Sequence, residues 1–243
     1  MNLLIDMGNT RLKWAVARAG QIMPGAPLVN SRISRDELAG LWENIHRPSR
    51  LVVSCVSANQ LLELVQSVAL ELWPDVDIIL VKSQAQAFGV INSYQQPEKL
   101  GVDRWLALIA VWQQYQTLAC IVDCGTAITV DLIDADGRHQ GGLISPGLTL
   151  MKKSLGQGTD ALPFSETNHV CALANYTEAA IYSGTLMAAL GLVEHVLAKQ
   201  PKNIQLILTG GDAELIAREL GIACIVEHDL VLQGLLCILE GHL

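Results

Sequence analysis

Apolar positions fall alternately into short runs and helical stripes along this chain. Leu3, Leu4 and Ile5 lead into Asp6; after Gly8, Asn9 and Thr10, apolar residues resume at Leu12, Trp14 and Val16. The pattern predicts a strand, a tight glycine turn and a returning strand, that is, a β-hairpin. Residues 20–32, with Pro24, Gly25 and Pro27, read as a loop. Ser34-Arg35-Asp36-Glu37 is a capping box that opens a short helix through Leu38, Leu41 and Ile45. Leu51-Val52-Val53-Ser54-Cys55-Val56 reads as a buried strand, and Leu61, Leu64, Val65 and Val68 mark one face of a helix that Pro74 stops. Residues 77–81 read as a further strand. This order of elements is that of an α/β fold.

Residues 87–101 read as irregular, with Tyr94 and Pro97; Gly101-Val102-Asp103-Arg104 then precedes Trp105-Leu106-Ala107-Leu108-Ile109-Ala110-Val111-Trp112. A helix apolar all round is a buried one, packed between domains or against a subunit. Residues 118–123 repeat the opening pattern: an apolar run ends in Asp123, and Gly125-Thr126-Ala127 turns into a strand through Val130. Asp136-Gly137 is a hairpin signal, and Gln140-Gly141-Gly142-Leu143-Ile144-Ser145-Pro146-Gly147 is a glycine-flanked strand. Helices are expected over 148–155 and 177–199, a strand over 204–208, a helix from Ala213 to Leu220 capped by Asp212 and closed by Gly221, a strand over 222–226 and a last helix after Asp229.

Asp123 stands 117 residues after Asp6, close to half the chain, and both open the same strand–Asp–x–Gly–turn–strand order. A repeat on this scale is architectural. It predicts two similar α/β halves, 1–115 and 116–243, whose Asp-Gly turns converge on one cleft.

Composition narrows the function. The 243 residues are 51% hydrophobic, enough for a packed core, and the net charge of −8 gives no support for nucleic-acid or anionic-membrane binding. No apolar run approaches the roughly 20 residues of a spanning helix, and the start lacks a signal-peptide pattern, so a cytoplasmic protein is expected. Six cysteines lie in apolar segments with no Cys-x-x-Cys pair and read as buried thiols. The six histidines form no metal-binding pair. Neither a Gly-x₄-Gly-Lys P-loop nor a Gly-x-Gly-x-x-Gly is present.

The Asp-Gly turns carry the chemistry. A carboxylate at a strand end, beside backbone N–H groups and a hydroxyl, suits a phosphate chain with a hydrated cation. Asp6 is thus a candidate Mg²⁺ ligand, although such turns also close hairpins that bind nothing. Paired turns of this kind can clamp a phosphate chain from both sides.

Paired Asp-x-Gly turns and a late Gly-Gly after a strand resemble the acetate and sugar kinase/Hsc70/actin superfamily. Finer motifs resemble one family within it, the type III pantothenate kinases. These are Asp6-Met7-Gly8-Asn9-Thr10 with Lys13, Gly101-Val102-Asp103-Arg104, Asp123-Cys124-Gly125-Thr126, Gly141 to Gly147, Leu162-Pro163, Thr177-Glu178-Ala179 and Thr209-Gly210-Gly211-Asp212. The resemblance implies two duplicated ribonuclease-H-like (actin-like ATPase) domains with an interdomain nucleotide cleft. It implies ATP-dependent phosphorylation of pantothenate to 4'-phosphopantothenate, the first step of coenzyme A biosynthesis.

It also implies roles. Asp103 becomes the general base that takes the proton of the pantothenate hydroxyl; on the residues alone it equally reads as a helix cap. Arg104 faces the substrate carboxylate or the transferring phosphate, against a plain solvated arginine. Tyr94, Gly101 and Val102 contact pantothenate, and Thr177 does so across a homodimer interface, against the reading of Thr177 as an N-cap. Asp6, Met7, Gly8, Asn9, Thr10, Arg11, Leu12 and Lys13 line the ATP phosphates with Thr126, while Gly210 and Gly211 admit the adenosine. Asp123 holds a monovalent cation, K⁺ or NH₄⁺, alongside the Mg²⁺ that accompanies ATP. The rival readings are another small-molecule kinase of the superfamily and a nucleotide-binding accessory regulator of transcription; no helix-turn-helix pattern accompanies the acidic charge.

Overall fold

A computed structural model describes residues 1–241. The chain forms two compact units, one of residues 1–115 with the segment from Asp229 onward, the other of residues 116–228. In the first, β1 (Asn2–Met7), β2 (Arg11–Arg18), β3 (Gln21–Pro24) and β4 (Leu28–Val29) precede α1 (Arg35–Trp42). They are followed by β5 (Arg50–Cys55), α2 (Asn59–Leu72), β6 (Asp77–Leu80), the small strands β7 (Gln86–Ala87) and β8 (Val90–Ile91), and α3 (Val102–Tyr115). The sheet runs β3-β2-β1-β5-β6, with β4 also on β2. Strands β1, β2 and β3 pair antiparallel, while β1–β5 and β5–β6 pair parallel.

The second unit repeats this plan. Its strands are β9 (Ala119–Cys124), β10 (Ala127–Ile133), β11 (His139–Pro146), β12 (Gln205–Thr209) and β13 (Ile225–Val226); its helices are α4 (Leu148–Gly158), α5 (Thr177–Leu197) and α6 (Ala213–Leu220). The sheet order is β11-β10-β9-β12-β13, again three antiparallel strands continued by two parallel ones. Two sheets of identical order and polarity are the duplication that the paired Asp-Gly turns announced.

Alternation along the strands decides which side chains reach the chemistry. Leu3, Ile5 and Met7 join Leu51, Val53, Leu38, Trp42, Val65 and Val68 in one core, so Asp6 and Ser54, register partners on β1 and β5, share the opposite face. In the second unit Cys120, Val122 and Cys124 face the core with Leu206, Leu208 and Ile216, which leaves Asp123 and Thr209 on the other face. The capping box is realised: Ser34 Oγ accepts the Glu37 N–H at 3.2 Å. All six cysteines are free thiols, and burial, with Asp131 nearby, pushes Cys120 up to about 12.

The structure departs from the sequence expectations in four places. The loop over 20–32 contains β3 and β4, edge strands short enough for Pro24 to end one of them. The irregular stretch before Gly101 begins with a β7–β8 hairpin turned through Phe88 and Gly89. Helix α5 is long and apolar enough by composition to cross a membrane, but Tyr182, Leu186, Ala189 and Val193 fill the second unit's own core. Lastly, α7 (Leu230–Gly241), expected with the C-terminal half, packs in the first unit against α3, β1 and β5. Its buried Leu230, Leu232, Leu235, Ile238 and Leu239 need an apolar partner, and the almost wholly buried α3 supplies one.

Candidate active site

In the first unit, Asp6 lies near the end of β1, buried, and pairs across the hairpin with half-buried Lys13. Cross-strand partners sit about 5 Å apart, so a carboxylate and an ammonium flank the entrance to the turn. Gly8, Asn9 and Thr10 make the turn, with Asn9, Thr10 and Arg11 exposed. Met7 and Leu12 bury their side chains in the core, so they offer a ligand backbone groups alone. Ser54 Oγ is fully buried on the Asp6 face and has no hydrogen-bond partner among the described residues.

The start of α3 gathers three residues named from the sequence. Arg104 is buried, and its Nη1 donates to Tyr94 Oη at 2.8 Å, with the guanidinium carbon 5.6 Å from the centre of the Tyr94 ring. This removes the reading of Arg104 as a solvated helix-start arginine. Asp103 is the second residue of the helix, half-buried, and its Oδ1 accepts the Arg104 N–H at 2.8 Å. A Cβ on Gly101 would lie 2.6 Å from Asp103 Oδ1, so a larger residue there would push the carboxylate aside. The carboxylate therefore rests on the Gly101 backbone at the positive end of the helix, where negative charge is favoured. Val102 is buried. Asn92, which no sequence signal marked, shapes the approach. Its Nδ2 donates to Gln84 O and Pro97 O, both at 3.1 Å, and its Oδ1 accepts the Tyr94 N–H at 3.0 Å.

The second unit presents the counterpart turn with one residue fewer. Met7 and Leu12 close the first turn around four residues, whereas Cys124 and Ile128 close the second around three. Across from Asp123 stands Thr129, where Lys13 stands across from Asp6. Thr126 is exposed, and its carbonyl accepts the Gly147 N–H at 2.9 Å, which ties the turn to the start of α4. Gly210, at φ +94°, packs on Asp123: a Cβ there would come within 2.4 Å of Asp123 Oδ1 and 2.6 Å of Cys124 O. Gly211 has open space around its Cα. Asp212 stands at the N-cap position of α6 without a side-chain cap bond. A cavity of about 190 Å³ beside it is lined by Leu148, Lys152, Tyr182, Thr185, Asp212 and Leu215, among others. Thr177 is the exposed first residue of α5; Tyr176 holds the cap position, which corrects the reading of Thr177 as an N-cap.

A profile of the family described as Type III pantothenate kinase matches residues 2–199. The chain belongs to the type III pantothenate kinase family. A type III pantothenate kinase from Halorhodospira halophila is 39% identical, with 97% of this chain and 96% of that protein covered. One from Nitrosococcus oceani is 36% identical, with 97% and 92% covered. Among solved structures, a protein described as a Baf family transcriptional activator from Campylobacter jejuni matches with a TM-score of 0.62 at 20% identity over 99% of this chain and 98% of its own. A protein described as a 2-dehydro-3-deoxygalactonokinase from Sinorhizobium meliloti matches with a TM-score of 0.62 at 13% identity over 98% and 97%. At these identities the two structures speak for the fold alone. As a type III pantothenate kinase the chain is a phosphotransferase, and regulation of transcription is not favoured as its role.

Proposed function

We infer that the protein transfers the γ-phosphoryl group of ATP to the primary hydroxyl of pantothenate, giving 4'-phosphopantothenate and ADP. The observation that carries this reading is the cluster at the start of α3, where Asp103, Arg104 and Tyr94 meet. Pantothenate has a carboxylate and a primary hydroxyl. A buried, fixed guanidinium suits a planar anion, so Arg104, steadied by Tyr94, binds the carboxylate or the transferring phosphoryl group. Asp103 takes the hydroxyl proton as that oxygen attacks the γ-phosphorus in line and the bond to the β,γ-bridging oxygen breaks. Gly101 and Val102 shape the pantothenate site with Tyr94.

The turn at Gly8 binds the ATP phosphates through backbone N–H groups, Thr10 and Lys13, and the turn at Asp123 adds Thr126. Gly210 and Gly211 face the adenosine, and the open space at Gly211 supports this. ATP chemistry in this family requires a divalent metal. Among the described residues no three His, Cys, Asp or Glu side chains form a metal cluster. That fits Mg²⁺, which takes one or two carboxylates and otherwise phosphate and water oxygens; Asp6 is the residue that would hold it. Bound there, Mg²⁺ would supply positive charge to neutralise the phosphates. Asp123 would hold the monovalent cation, K⁺ or NH₄⁺. In support, its cross-strand partner is a threonine where that of Asp6 is a lysine.

The test is ADP release from the purified protein with pantothenate, in K⁺ and then in Na⁺. Pantothenate-dependent release that is faster in K⁺ is expected; none with any cation would refute the kinase reading. The proposal includes a cytoplasmic location and a homodimer to which Thr177 contributes. Thr177 is exposed at the start of α5, as a contribution to a partner's site requires. Light scattering is expected to give twice the chain mass; an active monomer would remove Thr177 from the partner's site.

A further inference from the structure

Asn30 follows β4 directly, 22 residues after Gly8, and belongs to no motif. It nevertheless takes three consecutive carbonyls of the first turn. Asn30 Nδ2 donates to Gly8 O at 2.7 Å and to Asn9 O at 3.1 Å, and the Asn30 main-chain N–H donates to Thr10 O at 3.0 Å. In a planar trans peptide, the C=O and the next residue's N–H point to opposite sides. Turning the carbonyls of Gly8, Asn9 and Thr10 toward Asn30 therefore turns the N–H groups of Asn9, Thr10 and Arg11 away from it. Successive N–H groups facing one way form an anion-binding concavity. Asn9, Thr10 and Arg11 are exposed, so the concavity opens to solvent.

The side chain has to be a neutral donor. An aspartate would set a carboxylate oxygen against two carbonyl oxygens, and an alanine would release both peptides. The two carbonyl acceptors also fix which end of the amide is nitrogen, leaving Oδ1 buried with no hydrogen-bond partner among the described residues. An amide that keeps a buried orphan oxygen in order to hold two turn carbonyls is set by the turn.

We propose that Asn30 is a positioning residue that holds the Gly8–Asn9–Thr10 turn with its N–H groups toward the ATP phosphates. The proposal rests on the reading of that turn as the phosphate site. It acts on affinity for phosphate-bearing nucleotides, whereas a mere staple of the fold would act on every ligand and on stability alike.

The experiment compares Asn30→Asp, Asn30→Ala and Asn30→Ser with the parent protein. ATP and ADP binding are measured by calorimetry, adenosine binding by competition, KM for pantothenate by turnover, and folding by thermal melting. At least tenfold weaker binding of ATP and ADP is expected in Asn30→Asp and Asn30→Ala, with Asn30→Ser, which retains one donor, between them and the parent. Adenosine binding and the KM for pantothenate stay within twofold. Should Asn30→Asp fail to fold, Asn30→Ala and Asn30→Ser carry the same comparison. ATP affinity within twofold of the parent, or equal losses for ATP, adenosine and pantothenate, would overturn the proposal. Gly8→Val separates the two levels. If it weakens ATP tenfold while the Asn30 variants do not, the Asn30 proposal alone falls. If it leaves ATP binding unchanged, the phosphate-turn reading falls and takes the proposal with it.

Discussion

Asp103 and Arg104 are neighbours in sequence with opposite demands on their surroundings. The carboxylate stays half-buried at a helix N-terminus, while the guanidinium is buried and held by the Tyr94 hydroxyl. A base must exchange a proton with a substrate oxygen, so partial exposure suits Asp103; an anion-binding guanidinium gains from fixed geometry, so burial suits Arg104. Asp103→Asn keeps the shape and removes the proposed base. Its expected effect is a fall in kcat of about 10²–10⁴-fold with KM for pantothenate little changed. Tyr94→Phe removes the acceptor of a charge-assisted hydrogen bond worth roughly 1.5–3 kcal/mol, so a rise of roughly 10- to 150-fold in KM is expected with kcat less affected. Steady-state kinetics on the two variants separates the roles; a pure KM effect in Asp103→Asn would remove it as the base.

At the scale of elements, each Asp-Gly turn depends on a segment distant in sequence. The β1–β2 turn is held by Asn30 after β4, and the β9–β10 turn by the start of α4 through Gly147 and by the β12–α6 turn through Gly210. Gly210 combines a left-handed φ with contact to Asp123 Oδ1. In Gly210→Ala the conformation alone costs roughly 1–2 kcal/mol, and the new methyl displaces the Asp123 carboxylate. A lowered melting temperature together with a lost response of turnover to K⁺ is expected; Gly221→Ala, also left-handed but with nothing near the added methyl, serves as the control. If Gly210→Ala melts lower but keeps its K⁺ response, Asp123 is not the cation ligand.

On the scale of the whole molecule, the sheet orders β3-β2-β1-β5-β6 and β11-β10-β9-β12-β13 make the two units repeats of one plan. The last helix breaks the repeat in space, because α7 belongs to the first unit. Removing everything after His228 would therefore uncover α3 and β1 of the first unit, not the second. Five buried apolar side chains of α7, each worth roughly 1.5–3 kcal/mol when fully buried, are together comparable to the whole margin by which a domain is stable. The truncated chain is expected to lose cooperative melting of the first unit, as followed by circular dichroism and tryptophan fluorescence. Trp42, Trp73 and Trp105 report on it, since all three are buried there. A truncated chain that melts like the parent would mean that α7 is dispensable to the first core.

Much was legible without coordinates, for reasons that are local. Hydrophobic periodicity marks strands and helices because burial selects one face, and the Asp-x-Gly turns announce the duplication because a tight turn demands particular residues at fixed spacing. Gly101-Val102-Asp103-Arg104 is likewise contiguous, so its chemistry can be named from sequence. Short edge strands such as β3 and β4 escaped because four or two residues carry too little pattern, and Pro24 argued for a loop. Asn30 and Asn92 escaped because their partners are main-chain carbonyls, which leave no mark in the sequence of the residues that own them. The sequence by itself determined the family and the repeated α/β plan, and it supplied the residues proposed for the chemistry. Tertiary structure alone decided that Tyr94 meets Arg104, that Asn30 holds the first Asp-Gly turn and that α7 completes the first unit, because each is a contact between segments whose separation along the chain says nothing of their distance in space.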